Sequence, residues 1–193
     1  AGDHGYASVG SQWGTTHFTG SIIAGADETF DKEYGRSLLL KVPASGSTPY
    51  INLTTNLKQN VIVGFSAYLD DKSNFALSSK GTPNVDSIII VNSGTLKVKD
   101  GTTAQCADGW NHFCIGLDYT LHTVTVWLNG EKVSTYQAAD TFVATTYFNL
   151  NVNRVSGASQ LAFDDMYAQI KKVFGFASVT RAAACEKTLD AIL

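Results

Sequence analysis

The amino-acid sequence predicts a single all-β domain, folded as an antiparallel β-sandwich or barrel. Apolar residues alternate with polar ones in about a dozen short runs, which is the pattern of half-buried strands. Turns of about two to six residues, rich in Gly, Pro, Asn and Asp, join these runs. Helical periodicity is almost absent before residue 175. Many short strands with close turns favour a sandwich or a barrel over any helical fold.

The strands become regular after an irregular start. The first 35 residues are rich in Gly, Ser, Thr and Ala, with only short strands such as 17–23. The regular strands are predicted at 36–42, 49–55, 60–69, 75–80, 86–92, 94–100, 102–106, 112–120, 122–129, 131–137, 146–155 and 160–170. Asn129-Gly130 is the strongest hairpin signal, because both central residues of a type I′ turn need a positive φ.

The C-terminal stretch predicts a short amphipathic helix. Thr180 can cap it, and a row of apolar residues then recurs along one face. The members of that row are Ala182, Cys185, Leu189 and Ile192. Packing on its own chain is favoured over packing on a neighbour, since it costs less ordering entropy. We therefore divide the domain into an arm with the first strands (1–35), a sandwich (36–174) and a helix (175–193).

Composition and charge exclude several classes of partner. Hydrophobic residues make up 44% of the 193 residues and charged residues 16%, which is enough for a sizeable core. The net charge of −3, with no cluster of Lys and Arg, argues against nucleic acid. No apolar run reaches the length of about 18 residues that a membrane-spanning helix needs. The polar, Gly-rich start is not a signal peptide, but whether one was removed earlier stays open.

Three cysteines, at 106, 114 and 185, do not form a disulfide framework or a zinc site. Buried or idle thiols are the favoured interpretation. A bridge between Cys106 and Cys114 remains open if the two residues face each other across the Asp108-Gly109 turn. Free thiols suit assembly in a reducing cytosol.

Several motifs resemble those of a known fold. The Trp110-Asn111-His112 opener and the stretch TVTVWLNGEKV (123–133) resemble the core of the concanavalin A-like jelly roll, also called the laminin-G-like fold. The stretch LAFDDMY (161–167) resembles its last long strand, and matching motifs run from about residue 35 to 170. The resemblance implies a jelly-roll β-sandwich, with His112 packed structurally at the start of a strand.

The order of GRSLLL, INLTT and NVIVGFSAYLDD resembles a branch of this superfamily found in structural proteins of tailed bacteriophages. That resemblance implies a virion protein, assembled in the cytoplasm of its host. We expect an accessory role in capsid decoration or in the tail, carried by contacts with other virion proteins or with copies of the same chain. The candidate contact residues are Trp127, Leu189 and Ile192, and no cofactor is expected.

Catalysis is not expected. The glucanases of the superfamily carry E-x-D-x-x-E on one strand, which sets nucleophile and acid on one face. This sequence has four Glu, and the nearest match is DETFDKE (27–33), where Asp31 and Glu33 share a face but Glu28 does not. A solvated charged turn explains that stretch better. No nucleophile elbow, phosphate-binding loop or metal-ligand pattern is present either.

The alternative function is a stand-alone lectin-like module that recognises glycans on a cell surface. Exposed aromatic rings would stack on sugars, and Trp127 and Trp110 are the candidates. Alternation places Trp127 on the face opposite Val124 and Val126. Packing under another segment of its own chain is favoured there, because a large Trp is usually mostly buried, and exposure or cover by a partner is the alternative.

The turn after strand 60–69 adds oxygen-bearing side chains to the candidate ligand residues. They are Asp70, Asp71 and Asn74. An Asx-type turn that satisfies its own backbone explains them without any ion, so we expect no metal site.

Overall fold

The computed structural model describes residues 16–17, 22–24, 38–42, 45, 48, 50–138, 141–153 and 159–170. The regular structure of these residues is β-strand throughout. The fourteen strands are β1 (Thr16–His17), β2 (Ile22–Ala24), β3 (Leu38–Val42), β4 (Tyr50–Leu57), β5 (Val61–Leu69), β6 (Asn74–Thr82), β7 (Val85–Asn92), β8 (Thr95–Val98), β9 (Thr103–Gln105), β10 (Gly109–Asp118), β11 (Thr123–Leu128), β12 (Glu131–Gln137), β13 (Ala144–Val152) and β14 (Ser159–Ile170).

The strands form two seven-stranded antiparallel sheets packed face to face. Sheet A has the order β1-β4-β13-β6-β7-β8-β9, and sheet B has the order β12-β11-β10-β5-β14-β3-β2. The prediction of an antiparallel sandwich is therefore confirmed, and the barrel alternative is not realised. The predicted helix at 175–193, with Leu189 and Ile192, lies outside the described residues, as does most of the predicted arm. Among the described residues, no helix is long and apolar enough to cross a membrane.

The core lies between the two sheets and is centred on four phenylalanines. Phe65 stacks on Phe113 at a ring-centroid distance of 5.3 Å and meets Phe75 and Phe163 edge-on at 5.8 and 6.1 Å. All four rings are at most 1% exposed. Offset and edge-to-face pairs of this kind add about 0.5–1.5 kcal/mol each beyond the area that they bury.

The hairpin of β11 and β12 fixes the register of one side of sheet B. Asn129 and Gly130 have φ values of 51° and 84°, as the type I′ turn requires. The Asn129 side chain accepts a hydrogen bond from the backbone N–H of His112 at 2.8 Å and donates one to Oδ1 of Asn111 at 3.0 Å. Asn111 in turn bonds the backbone of Ala107 at both its amide and its carbonyl. These hydrogen bonds therefore join the turn at Asn129 to the start of β10. Strand β10 begins at Gly109, three residues before the predicted start at residue 112.

The two described cysteines lie in different surroundings, and no disulfide joins them. Cys106 packs against the core between the sheets, whereas Cys114 lies in a separate cluster with Ile62 and Trp127. The bridge between Cys106 and Cys114 that the sequence left open is therefore not formed. Burial raises the pKa of the Cys106 thiol to about 11, which keeps it protonated and unreactive at neutral pH.

Candidate functional site

The predicted ligand residues lie at two separate places on sheet B. Trp110 stands opposite Tyr68, next to the turn that contains Asp70. Trp127 stands opposite Cys114, which is four residues further along β10. At about 3.3 Å per residue, the two tryptophans belong to positions about 13 Å apart along the strands. They do not line one common site.

Many of the side-chain oxygens in the turn at 70–74 accept hydrogen bonds from within the protein. Oδ1 of Asp70 accepts hydrogen bonds from the Lys72 N–H at 2.9 Å and from the Ser73 hydroxyl at 2.8 Å. Asn74 bonds side chains on two neighbouring segments, Asn92 at 3.2 Å and Asn153 at 3.0 Å. This is an Asx-type turn that satisfies its own backbone. Asp71 is exposed, and the described residues contain no group of His, Cys, Asp or Glu able to hold a metal ion.

Trp110 packs within the protein on the outer surface of sheet B. Its ring meets Tyr68 edge-on at 5.7 Å, and both rings pack against Ala162 of β14. The side chain is half-buried, so part of the indole remains in contact with solvent.

Trp127 points away from the core but is only 7% exposed. Its indole packs against Ile62 and Cys114 and crosses Gly116, where an added Cβ would lie 3.1 Å from Cζ3 of the ring. Alternation correctly predicts the face of Trp127. Of the alternatives that the sequence left open for this ring, burial within its own chain is the one observed.

A cleft of about 180 Å³ opens beside Trp127 on the outer side of sheet B. Ile62, Gly116 and Trp127 give it an apolar side. The turn residue Leu121, which is 64% exposed, borders it from the solvent side. The described polar residues that line it are Asn60, Asp118, Thr123, Thr125 and Thr135.

Local turns hold two of these polar side chains in place and leave part of each unused. Oδ1 of Asn60 accepts the backbone N–H of Tyr119 at 2.7 Å, which leaves the amide Nδ2 as a donor. Oδ1 of Asp118 accepts the N–H groups of Thr120 and Leu121 at 2.8 and 2.9 Å, which leaves Oδ2 as an acceptor. In both side chains, Oδ1 is held by backbone N–H groups and the second polar atom is left for a further hydrogen bond.

The threonines add hydroxyl groups on neighbouring strands. The Thr135 hydroxyl donates to the Thr125 hydroxyl at 3.0 Å, so Thr125 retains its own proton as a donor. Within the described part of the chain, the Thr123 hydroxyl makes no hydrogen bond to another side chain or to the backbone. The cleft therefore combines an apolar side with several unused donors and acceptors.

Of the described residues that line this cleft, Asp118 carries the one carboxylate. Hydrolysis of a glycosidic bond in the usual way needs two carboxyl groups that flank it, at separations of about 5–10 Å. The described lining residues offer hydrogen-bonding groups and a single carboxylate rather than that pair. Sequence reasoning missed Asn60, Asp118 and the threonines, because each reads locally as an ordinary turn or strand residue.

A second polar row lies on the same side of sheet B, closer to Trp110. His112, Ser66 and Asp164 occupy one cross-strand row of β10, β5 and β14, and the Ser66 hydroxyl lies 3.2 Å from Nδ1 of His112. Ser66 is 1% exposed and His112 is 2% exposed. Burial lowers the pKa of His112 to about 4, so the ring is neutral at pH 7. With Ser66 between the other two and shielded from solvent, the row is structural rather than a nucleophilic triad.

No protein-family model and no curated protein matches the chain. Solved structures do match. A sialidase gives a TM-score of 0.58 at 11% identity, covering 70% of this chain and 15% of the sialidase. A botulinum neurotoxin DC binding domain in complex with SialylT gives 0.53 at 11% identity, covering 80% and 42%. An alginate lyase in complex with dimannuronate gives 0.54 at 11% identity, covering 72% and 76%.

These similarities define the fold class. The protein is an antiparallel β-sandwich of the concanavalin A-like jelly-roll type, as the sequence motifs imply. At such low identity the likeness concerns the fold alone, and the chain spans only 15% of the sialidase and 42% of the toxin domain. None of the three is described as a bacteriophage structural protein, so the resemblance to the phage branch stays a prediction.

Proposed function

We propose that the protein is a lectin-like carbohydrate-binding domain and that its sugar site is the cleft beside Trp127. The observation that carries the proposal is the convergence of unused hydrogen-bonding groups on a cleft with an apolar side. A sugar presents C–H groups on one side and hydroxyls around its edge. It therefore matches an aromatic edge surrounded by amide, carboxylate and hydroxyl groups.

The size and charge of the cleft narrow the ligand. About 180 Å³ suits a single sugar ring, since pockets for drug-sized ligands are about 300–1,000 Å³. Among the described residues that line the cleft, Asp118 is the one with a charged side chain, and its carboxylate would repel a carboxylate on the ligand. We therefore expect a neutral terminal sugar rather than an acidic one.

The comparisons support the general class of function. Two of the similar structures are complexes, one with SialylT and one with dimannuronate. Those ligands belong to those proteins. Their relevance here is that the same sandwich architecture occurs in proteins that engage carbohydrate.

The test is binding of neutral and acidic glycans, first on an array and then by calorimetry. Thr123→Val removes one hydroxyl at nearly constant volume and should weaken binding by about 2–10-fold. Gly116→Val should block the cleft, since even a Cβ there lies 3.1 Å from the Trp127 ring. Thr103→Val, on the edge strand β9, is the matched control and should bind normally. Absence of binding to any glycan, or binding unaffected by both cleft variants, would overturn the proposal.

The accessory virion role stays a prediction. A sugar site and a place in a particle are compatible, because a virion surface protein can carry a glycan-binding domain. Light scattering and cryo-microscopy of the protein in its native source distinguish a free monomer from a component of a symmetric particle. A free monomer would contradict the virion role and leave the sugar site untouched.

A further inference from the structure

Leu121 exposes an apolar side chain at the solvent side of the cleft beside Trp127. Among the described residues, the exposed large hydrophobic side chains are Leu121, at 64%, and Val143, at 59%. Leu121 lines the cleft, whereas Val143 is not among the described residues that do so. A single exposed leucine is common on protein surfaces. Its backbone contacts and its position at the cleft distinguish Leu121 from such residues.

The backbone of Leu121 is held in place at both of its polar groups. Its N–H donates to Oδ1 of Asp118 at 2.9 Å, and its carbonyl oxygen accepts a hydrogen bond from Nε2 of Gln137 at 3.1 Å. The next residue, His122, has a φ of 54°, and its carbonyl also accepts from Nε2 of Gln137, at 3.1 Å. The His122 ring lies 5.7 Å from the ring of Phe142, between centroids. Neighbouring segments therefore hold the turn, and Leu121 keeps a fixed position.

A fixed and exposed apolar side chain favours contact with a ligand. Removing apolar surface from water is favourable, whereas ordering a mobile loop on binding is costly. Asp118 and Gln137 already order the backbone of this turn, so a ligand that covers Leu121 gains the first effect at little of the second cost.

The size of the cleft places any substituent of a bound sugar outside it. The volume of about 180 Å³ suits one sugar ring, so a group attached to that ring must lie at the solvent side. Of the described lining residues, Leu121 and Thr135 are the exposed ones. The Thr135 hydroxyl already donates to Thr125 at 3.0 Å, whereas the side chain of Leu121 is largely uncovered. Leu121 is therefore the residue that gains most from contact with such a substituent.

We propose that the ligand is a glycoside with an apolar aglycone, and that Leu121 binds the aglycone while the sugar ring occupies the cleft. The inference rests on the proposed carbohydrate-binding function and adds the chemical class of the group attached to the sugar. A second sugar suits this position less well, because its hydroxyls need hydrogen-bonding partners and a leucine side chain provides none. An alkyl or aryl group, in contrast, is stabilised by covering the leucine.

Calorimetric titration of the full-length chain with two matched series of ligands tests the inference. One series consists of the methyl glycosides of glucose, galactose, mannose and N-acetylglucosamine, and the other consists of the hexyl glycosides of the same sugars. The readout is the ratio of the methyl to the hexyl dissociation constant for one sugar. The original chain should bind the hexyl glycoside about 5–20-fold more tightly, as expected when an alkyl chain covers much of a leucine side chain.

Three variants locate the contact. Leu121→Ser should reduce the ratio to about 1–2, because it removes the apolar surface, and folding should tolerate a change at so exposed a position. Val143→Ser, at the exposed valine outside the described lining, is the matched control and should keep the ratio of the original chain. Gly116→Val, which blocks the cleft, should abolish the binding of both series.

A ratio that falls in Leu121→Ser and not in Val143→Ser supports the inference. Equal affinities for methyl and hexyl glycosides in the original chain would overturn it and leave the proposed sugar site intact. An unchanged ratio in Leu121→Ser, an equal fall in both serine variants, or hexyl binding that persists in Gly116→Val would also overturn it. If the original chain binds neither series, the proposed sugar site itself fails, and this inference fails with it.

Discussion

Acidification should destabilise the protein through one side chain, His112. The ring is 2% exposed, and burial lowers its pKa from 6.5 to about 4. The unfolded chain takes up a proton near pH 6.5, whereas the folded protein takes it up only near pH 4. The contribution of the neutral ring to the free energy of unfolding is therefore complete above pH 6.5. It is lost as the pH decreases from 6.5 towards 4.

The expected size of the effect follows from the shift. One pKa unit corresponds to about 1.4 kcal/mol, so the free energy of unfolding should fall by about 2 kcal/mol at pH 5 and by about 3 kcal/mol at pH 4. The groups near this ring are Ser66, at 3.2 Å, and Asp164, in the same cross-strand row. Asp86 and Asp100 also have lowered pKa values, but they lose their contribution only below their ordinary value of 3.8.

The assay is urea unfolding at pH 7, 5.5 and 4.5, for the original chain and for His112→Gln. Glutamine cannot take up a proton in this range, so the variant should have a lower stability at pH 7 but a flatter pH dependence. The difference between the two slopes isolates the histidine from all carboxylates. Equal slopes for the two proteins would refute the reasoning, because the buried ring would then titrate as it does in the unfolded chain.

Three further substitutions test the packing and the turns. Phe65→Ala should lower the free energy of unfolding by about 3–5 kcal/mol in urea titrations, because it empties the centre of the aromatic core. Asn129→Ala should cost about 1–2 kcal/mol in the same assay, since it removes two side-chain hydrogen bonds and a residue that tolerates positive φ. Gly81→Ala should greatly reduce the yield of folded protein, because its Cβ would overlap a backbone carbonyl of β13. Gly94→Ala, with the same kind of φ but open space, should cost only about 1 kcal/mol, and equal losses at the two glycines would contradict this.

The strands and the core could be predicted from the sequence because both depend on local alternation. Val124, Val126 and Leu128 all face the core as their spacing predicts, and Asn129-Gly130 forms the predicted turn. The burial of Trp127 could not be read in the same way. It depends on Gly116 and Ile62, which reach it only through the pairing of three strands.

The cleft illustrates the same limit for function. Asn60 precedes β5, Asp118 ends β10 and Thr125 lies on β11, so 65 residues of sequence separate the first from the last. No spacing rule connects them, since their distance in the sequence is set by the intervening strands of the other sheet. The residues that the sequence does single out, such as Asp70 and Asn74, are conspicuous because they build a turn.

The outer strands of the two sheets limit how copies of this protein can associate. In the described residues, β1, β2 and β9 are outer strands of only two or three residues. The fourth outer strand, β12, begins with the exposed charges of Glu131 and Lys132, and its pairing with β11 shifts register at Val126 and Trp127. Short, charged and irregular edges resist the addition of a foreign strand. Crowded copies would therefore meet through their faces and loops, and a dense array could form without the continuous intermolecular sheets that lead to fibres.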